Sequence, residues 1–162
     1  NSILKMNKTA VFPGSFDPFT IGHKEIINKI FPIFDKIIIA VGENRDKKCY
    51  FSLNQRINWI KKIFDEEKIL VKKYTGLTTN FCKKENANFI IRGIRDSNDF
   101  IYEKKIAHIN KDLNRNIETL FILSSKENSH ISSSLIKDII KNKGDIKKFL
   151  PNEIATSISN SF

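Results

Sequence analysis

Apolar residues recur along the chain in short unbroken runs, separated by longer segments in which they return every three or four positions. The runs Thr9–Phe12, Lys36–Gly42 (KIIIAVG), Ile69–Lys73, Asn88–Gly93 (NFIIRG) and Thr119–Leu123 predict five strands. The helical spacing predicts helices over Gly22–Phe31, from Ser52 through Phe64, and over Thr78–Lys84, Asp99–Leu113 and Ser132–Lys141. Ser52 is the expected N-cap of the second, because its hydroxyl can take up an otherwise unpaired N–H. The closing stretch GDIKKFLPNEIATSI predicts a turn and one more short helix.

Strand and helix alternate about five times, with no linker, repeat or low-complexity tract between them. Runs that are apolar throughout, such as Ile37-Ile38-Ile39, suit a parallel sheet covered on both faces. Right-handed crossovers then predict an α/β fold: one domain built on a doubly wound, parallel, five-stranded sheet. In such sheets ligands bind beyond the carboxyl ends of the strands. The residues that follow each strand are therefore the candidates for chemistry.

Four polar clusters stand there. Strand one leads into Pro13-Gly14-Ser15-Phe16-Asp17-Pro18 and then Thr20-Ile21-Gly22-His23; strand two into Asn44-Arg45-Asp46-Lys47-Lys48. The fourth run ends in Arg92-Gly93-Ile94-Arg95, and the last leads through Ser124-Ser125-Lys126-Glu127 to Ser132-Ser133-Ser134. Cations, hydroxyls and exposed amides are what phosphate binding needs. A helix start presents free N–H groups and a partial positive charge. His23 sits in such a first turn and can aim a ring N–H at a phosphate oxygen. Gly14 and Gly22 would let a ligand or another backbone approach. Arg92 and Arg95 can grip phosphate with planar, bidentate geometry, and Lys47 adds a mobile point charge. Each residue alone also fits a structural role. Serines cap helices, prolines shape turns, His108 reads as structural and His130 fits either. The joint placement at successive strand ends favours a site for a polyphosphate or for two phosphate groups. The P-loop pattern G-x-x-x-x-G-K-S/T, the dinucleotide pattern G-x-G-x-x-G, H-E-x-x-H and G-x-S-x-G are all absent.

Composition changes this picture little. The chain has 162 residues, enough for one domain with a full core. Its net charge of +10 admits nucleic acid, a membrane surface or anionic metabolites as partners. The lysines are spread along the whole chain, which speaks for solvated surface rather than a nucleic-acid stripe. Cys49 and Cys82 have no metal-ligand spacing and are expected to be free thiols. No apolar run approaches the ~18–20 residues of a membrane span. The opening NSILKMNKTA lacks a signal-peptide pattern, so a cytoplasmic protein is expected. Asn1–Lys5 is expected to be a cloning remnant or short tail, and the domain to run over residues 6–162.

PGSFDPFTIGH resembles the opening signature of the nucleotidyltransferase superfamily with an H/T-x-G-H motif. IRGIRDSNDFIYE, AHIN and ISSSLIK are similar to one family within it, the bacterial phosphopantetheine adenylyltransferases, over Met6 to about Pro151. The resemblance implies a Rossmann-like nucleotidyltransferase fold and adenylyl transfer from ATP to 4′-phosphopantetheine, giving dephospho-coenzyme A and pyrophosphate. It also implies Mg²⁺ bound through the ATP phosphates and a cytoplasmic homohexamer, with no nucleic-acid or membrane partner. Carried onto matching positions, it makes His23, Lys47, Ser15 and Arg95 the catalytic group. ATP would meet Ser15, Phe16, His23, Gly93, Ile94, Arg95 and Glu103, and be wrapped by Asn128, Ser129, His130, Ile131, Ser132, Ser133 and Ser134. Phosphopantetheine would meet Ser15, Lys47, Thr78 and Arg92. Two positions depart from the family pattern, which has an aromatic near Asn128 and Phe at the place of His130, although the serines that follow remain. The alternatives are a superfamily relative acting on nicotinate mononucleotide or glycerol phosphate, and a non-enzymatic nucleotide or nucleic-acid binder.

Overall fold

All five expected strands are present and parallel in the computed structural model, which describes residues 7–161. The expected tail Asn1–Lys5 lies outside the described residues. In chain order the elements are β1 (Thr9–Gly14), α1 (Ile21–Ile30), β2 (Lys36–Gly42), α2 (Leu53–Ile63), β3 (Ile69–Tyr74) and α3 (Thr78–Lys84). They continue with β4 (Phe89–Ile94), α4 (Ser97–Leu113), β5 (Glu118–Leu123), α5 (Ser133–Lys141) and α6 (Asn152–Ser159). Boundaries differ from the sequence reading by one or two residues, because caps stand just outside the helices. Thr20 caps α1, Asp96 caps α4, and Ser132 caps α5 rather than opening it. Ser52 caps α2 by accepting from Gln55 N.

The sheet order is β3-β2-β1-β4-β5. The chain winds outward from β1 to β3, then crosses to β4 on the other side of β1. Alternate residues face opposite layers, as the pleat requires. Ala10, Phe12, Ile37, Ile39 and Val41 are buried on one face with Ile26, Ile27 and Ile30 of α1 and Trp59 and Ile60 of α2. Val11, Ile38, Ala40 and Ile90 are buried on the other face with Phe81 and Cys82 of α3. Burial raises the Cys82 thiol to about 11, so it is inert; Cys82 and Cys49 are both free thiols.

The two central seams differ. β1 runs beside β2 from Thr9/Lys36 to Gly14/Val41. Beside β4 it is paired only at Ala10/Phe89 and Val11/Ile90. Beyond those rows β1 and β4 part, and Pro13 stands on the opened stretch. A proline there lacks the N–H that a continuing ladder would use. Its carbonyl accepts instead from Arg92 Nη1 at 2.6 Å. The parting lies at the point where strand order reverses, the place where open α/β sheets bind ligands.

Candidate active site

A cavity of ≈ 400 Å³ fills the parting, and one of ≈ 820 Å³ adjoins it. Ser15, Lys47, Arg92 and Glu103 line both. The first extends to His23, Arg95 and the start of α5, the second to Tyr74 and Thr78 at the end of β3 and the start of α3. Residues from all four strand-end clusters therefore meet in one place.

His23 is held by its own helix start. Thr20 N donates to His23 Nδ1 at 3.0 Å, while His23 N donates to the Thr20 hydroxyl at 3.3 Å. This is a capping box with histidine where glutamate or glutamine is usual. Because Nδ1 accepts, the neutral ring carries its proton on Nε2. Burial first, and then the guanidiniums of Arg92 and Arg95, lower the ring to about 3. His23 is thus a neutral hydrogen-bond donor at physiological pH. Its ring packs edge-on against Phe16, 5.0 Å between centroids, and lies 5.2 Å from Phe19.

Phe16 takes a positive φ of 49°, unusual for a bulky side chain. That turn folds its ring back over Gly14, where a Cβ would lie 2.9 Å from the ring. Gly14 thus makes room for an aromatic ring, and it also lines both cavities. A Cβ on Gly22 would meet no protein atom nearer than the Thr20 hydroxyl at 3.4 Å, so no second backbone approaches there, and Gly22 lines the first cavity. Phe16 itself is 3% exposed; it lines the first cavity and packs against His23.

The arginines are pre-set by α4. Arg92 donates through Nε and Nη2 to the two oxygens of Glu103, at 2.8 and 2.6 Å. Arg95 donates through Nε and Nη2 to Asp99, at 2.9 and 3.2 Å. Asp99 and Glu103 stand one helical turn apart, so both carboxylates face the end of β4. Hydrogen bonding to Asp99 raises Arg95 above its ordinary range, and the same bond lowers Asp99. Glu103, expected to meet the nucleotide, lines both cavities and accepts from Arg92 through both oxygens. The remaining guanidinium N–H groups are left for a ligand.

Three charged residues to which the sequence assigned no role tie the turn after β1 to its surroundings: Asp17, Lys137 and Arg56. Asp17 is 3% exposed and accepts from Tyr50 N at 2.7 Å and Phe51 N at 2.9 Å. It thereby fixes the end of the loop that carries Lys47. Lys137 of α5 reaches Asp17 at 3.5 Å and lines the first cavity. Arg56, 4% exposed, donates to the carbonyls of Ser15, Gly42 and Phe51, joining the ends of β1 and β2 to the same loop. Its signal was present in the sequence: Arg56 shares a helical stripe with Trp59, Ile60 and Ile63, where a cation needs a buried partner. Lys47 is exposed and, among the described residues, is recorded in no ion pair.

The α5 serines divide their work. Ser132 Oγ accepts from Leu135 N, which leaves its own proton to give. Ser133 Oγ donates to Pro18 O at 2.9 Å. Ser134 is exposed, and all three line the first cavity. Gly93, Asn128 and Ile131 line it too. Ile94 is buried in the sheet, Ser129 donates to Lys126 O, and His130 is exposed; none of these three lines either cavity. Thr78 lines the second cavity with its hydroxyl 3.2 Å from Tyr74 Oη. His108 is exposed on α4.

No cluster of three or more metal-ligating side chains occurs among the described residues. The cavity carboxylates Asp17, Asp99 and Glu103 are each paired with a cation. The arrangement can bind phosphate groups from several sides and hold a hydrogen-bond donor, His23 Nε2–H, among them. It offers no activated nucleophile.

The cytidylyltransferase-like family model matches residues 11–139. A phosphopantetheine adenylyltransferase of Flavobacterium psychrophilum is 49% identical over 148 residues, covering 91% of this chain and 97% of that protein. One from Pelagibacter ubique is 45% identical, covering 97% of this chain and 99% of its own. Among solved structures, nicotinic acid mononucleotide adenylyltransferase of Plasmodium falciparum superposes with a TM-score of 0.69 at 18% identity, covering 94% of each chain. A bifunctional NMN adenylyltransferase/ADP ribose pyrophosphatase from Francisella tularensis gives 0.73 at 16%, covering 96% of this chain and 49% of that one. At these identities the structures show a shared fold alone.

Proposed function

The chain belongs to the phosphopantetheine adenylyltransferase family, within the cytidylyltransferase-like group, and from that membership we propose that it transfers the adenylyl group of ATP to 4′-phosphopantetheine. The products are dephospho-coenzyme A and pyrophosphate. The observation that carries the reading is the pair of adjoining cavities with Ser15, Lys47, Arg92 and Glu103 in their common wall. Two phosphorylated ligands, one in each cavity, would meet at that wall.

The acceptor's phosphate oxygen is already ionised at neutral pH and attacks the α-phosphorus of ATP. The bond to the β-phosphate oxygen breaks, and pyrophosphate leaves with that electron pair. No general base is needed, in keeping with a site that contains none. The obstacles are repulsion between anions and the charge that builds on the α-phosphate oxygens. Donors fixed in advance stabilise that charge without reorganising. His23 Nε2–H, aimed by the Thr20 cap, is the donor we assign to the α-phosphate. Arg95 and the hydroxyls of Ser132 and Ser134 serve the ATP phosphates, Arg92 and Lys47 the acceptor phosphate, and Ser15 both. Holding the two in line can supply about 7–11 kcal/mol of the barrier in favourable cases. Mg²⁺, carried on ATP phosphate oxygens, would add neutralising charge there. The paired state of Asp17, Asp99 and Glu103 suits a metal held by substrate rather than by a protein cage.

A homohexamer in the cytoplasm belongs to the same proposal. Exposed Phe100, Ile101, Ile109 and Leu113 on α4, with Leu120 and Leu123 on the edge strand β5, supply apolar surface for an assembly to cover. Among the described residues no helix is long and apolar enough to cross a membrane. Pyrophosphate release from ATP is the test, run in parallel with phosphopantetheine, nicotinate mononucleotide, glycerol phosphate and no acceptor. Release with phosphopantetheine alone is expected. Release with another acceptor, or salt-sensitive polynucleotide binding without any release, would replace this reading.

A further inference from the structure

Glu25 stands two residues beyond His23 on α1 and therefore points away from it, toward the segment that follows β5. Its carboxylate accepts from Ser125 N at 2.8 Å, from Ser125 Oγ at 3.0 Å and from Asn128 Nδ2. Lys29, one turn further along α1, pairs with Glu25 at 2.8 Å and donates to Leu123 O at 2.6 Å. The side chain of Glu25 is 16% exposed. Burial alone would raise its pKa, but the bonds from Lys29, Asn128 and Ser125 outweigh that and hold it well below the usual carboxylate range.

Of these partners Asn128 lines the first cavity, together with Ser124 and Ile131 of the same segment. The segment is anchored at its start, where Ser124 N donates to Ile94 O at 2.9 Å, and at its end, where Ile131 enters the core. Between those points its other recorded hydrogen bonds stay inside the segment: Asn128 N to Ser125 O, and Ser129 Oγ to Lys126 O. Among the described residues, Glu25 is the only hydrogen-bond anchor recorded outside the segment for 125–129.

We infer that Glu25 is a positioning residue for nucleotide binding: through Ser125 and Asn128 it fixes the 124–131 wall against the helix that carries His23. The inference rests on the assignment of the first cavity to ATP. It concerns the nucleotide side only, because Ser124, Asn128 and Ile131 line the first cavity and not the second.

Glu25→Gln keeps the shape but turns an N–H₂ group toward the donors of the segment. The expected result is a rise of about tenfold in the KM for ATP, the effect of losing roughly one charged hydrogen bond. The KM for the acceptor and the melting temperature should change little. Glu25→Gln combined with Asn128→Asp restores the tie with donor and acceptor exchanged, and should return the ATP KM to within about threefold of the parent. Ser125→Ala, which removes one bond and leaves α1 intact, should raise it about threefold and keeps the test alive should Glu25→Gln fold poorly. Direct titration of each variant with ATP separates this inference from the functional reading: a chain that releases no pyrophosphate still reports a dissociation constant. Equal rises for ATP and acceptor, unchanged ATP binding in a folded Glu25→Gln, or absence of rescue in the double variant would each overturn it.

Discussion

The two sides of the cleft hold their cations in opposite ways. On the β4 side, Arg92 and Arg95 are each gripped by a carboxylate of α4, and His23 is oriented by the cap of its own helix. On the β2 side, Lys47 rides on an exposed loop that is tied at its two ends, by Glu43 N to Tyr74 O and by Asp17 to Tyr50 N and Phe51 N, with Lys47 between them in no recorded ion pair among the described residues. The first side is oriented before any ligand arrives, at the cost of charge: Glu103 and Asp99 offset both arginines. The second keeps its charge but not its geometry. The difference teaches that this chain's +10 is a poor guide to its site, because the best-placed cations there are the neutralised ones. Groups aimed in advance serve the transition state, whereas a mobile ammonium serves capture of the anion.

That contrast can be broken most sharply at His23. His23→Ala should lower kcat about 10²–10³-fold, the usual effect of removing one fixed donor, with the ATP KM within about threefold. A loss mainly in KM would put His23 among the capturing groups. The next largest effect comes from exchanging the two kinds of cation. Arg92→Lys loses the two-pronged grip on Glu103 and the bond to Pro13 O, and should lower kcat/KM about 30-fold. Lys47→Arg keeps a charge on a loop that does not aim it, and should cost less than about threefold. Equal sensitivity at both positions would erase the distinction. The smallest effect is on stability. His23 titrates near 3 in the fold against about 6.5 unfolded. Between those values the unfolded chain binds a proton that the folded chain refuses, so His23 removes stability as pH falls below about 6.5 and none at neutral pH. Urea midpoints at about pH 7 and about pH 5 should therefore differ more for the parent than for His23→Gln. An unchanged difference would mean the ring is not held neutral.

Much of the fold was legible because its signals are local. The unbroken run Ile37-Ile38-Ile39 announced a strand covered on both faces, and α1, α2 and α5 began within a residue or two of their polar caps. The phosphate-binding ends were legible too, since position after a strand is a property of chain order. What stayed hidden was which group each charge would face. Arg92 and Arg95 read as open grips, but α4 returns Glu103 and Asp99 to them. Ser133 read as a phosphate donor, but its hydroxyl goes to Pro18 O, 115 positions away. Glu25 gave no signal at all, being a single carboxylate in a chain rich in charge, and Asp17 stood in the first polar cluster with nothing local to show that it would reach Tyr50 N and Phe51 N.

The amino-acid sequence by itself determined the elements, their order and the residues placed at the strand ends, because hydrophobic period and capping act over three to seven neighbouring positions. Tertiary structure alone decided that β4 lies beside β1 for two rows and then leaves it, and that cations on one wall are paired while Lys47 is not. Those outcomes depend on distances of about 3 Å between groups far apart in the chain, and no local pattern encodes such distances.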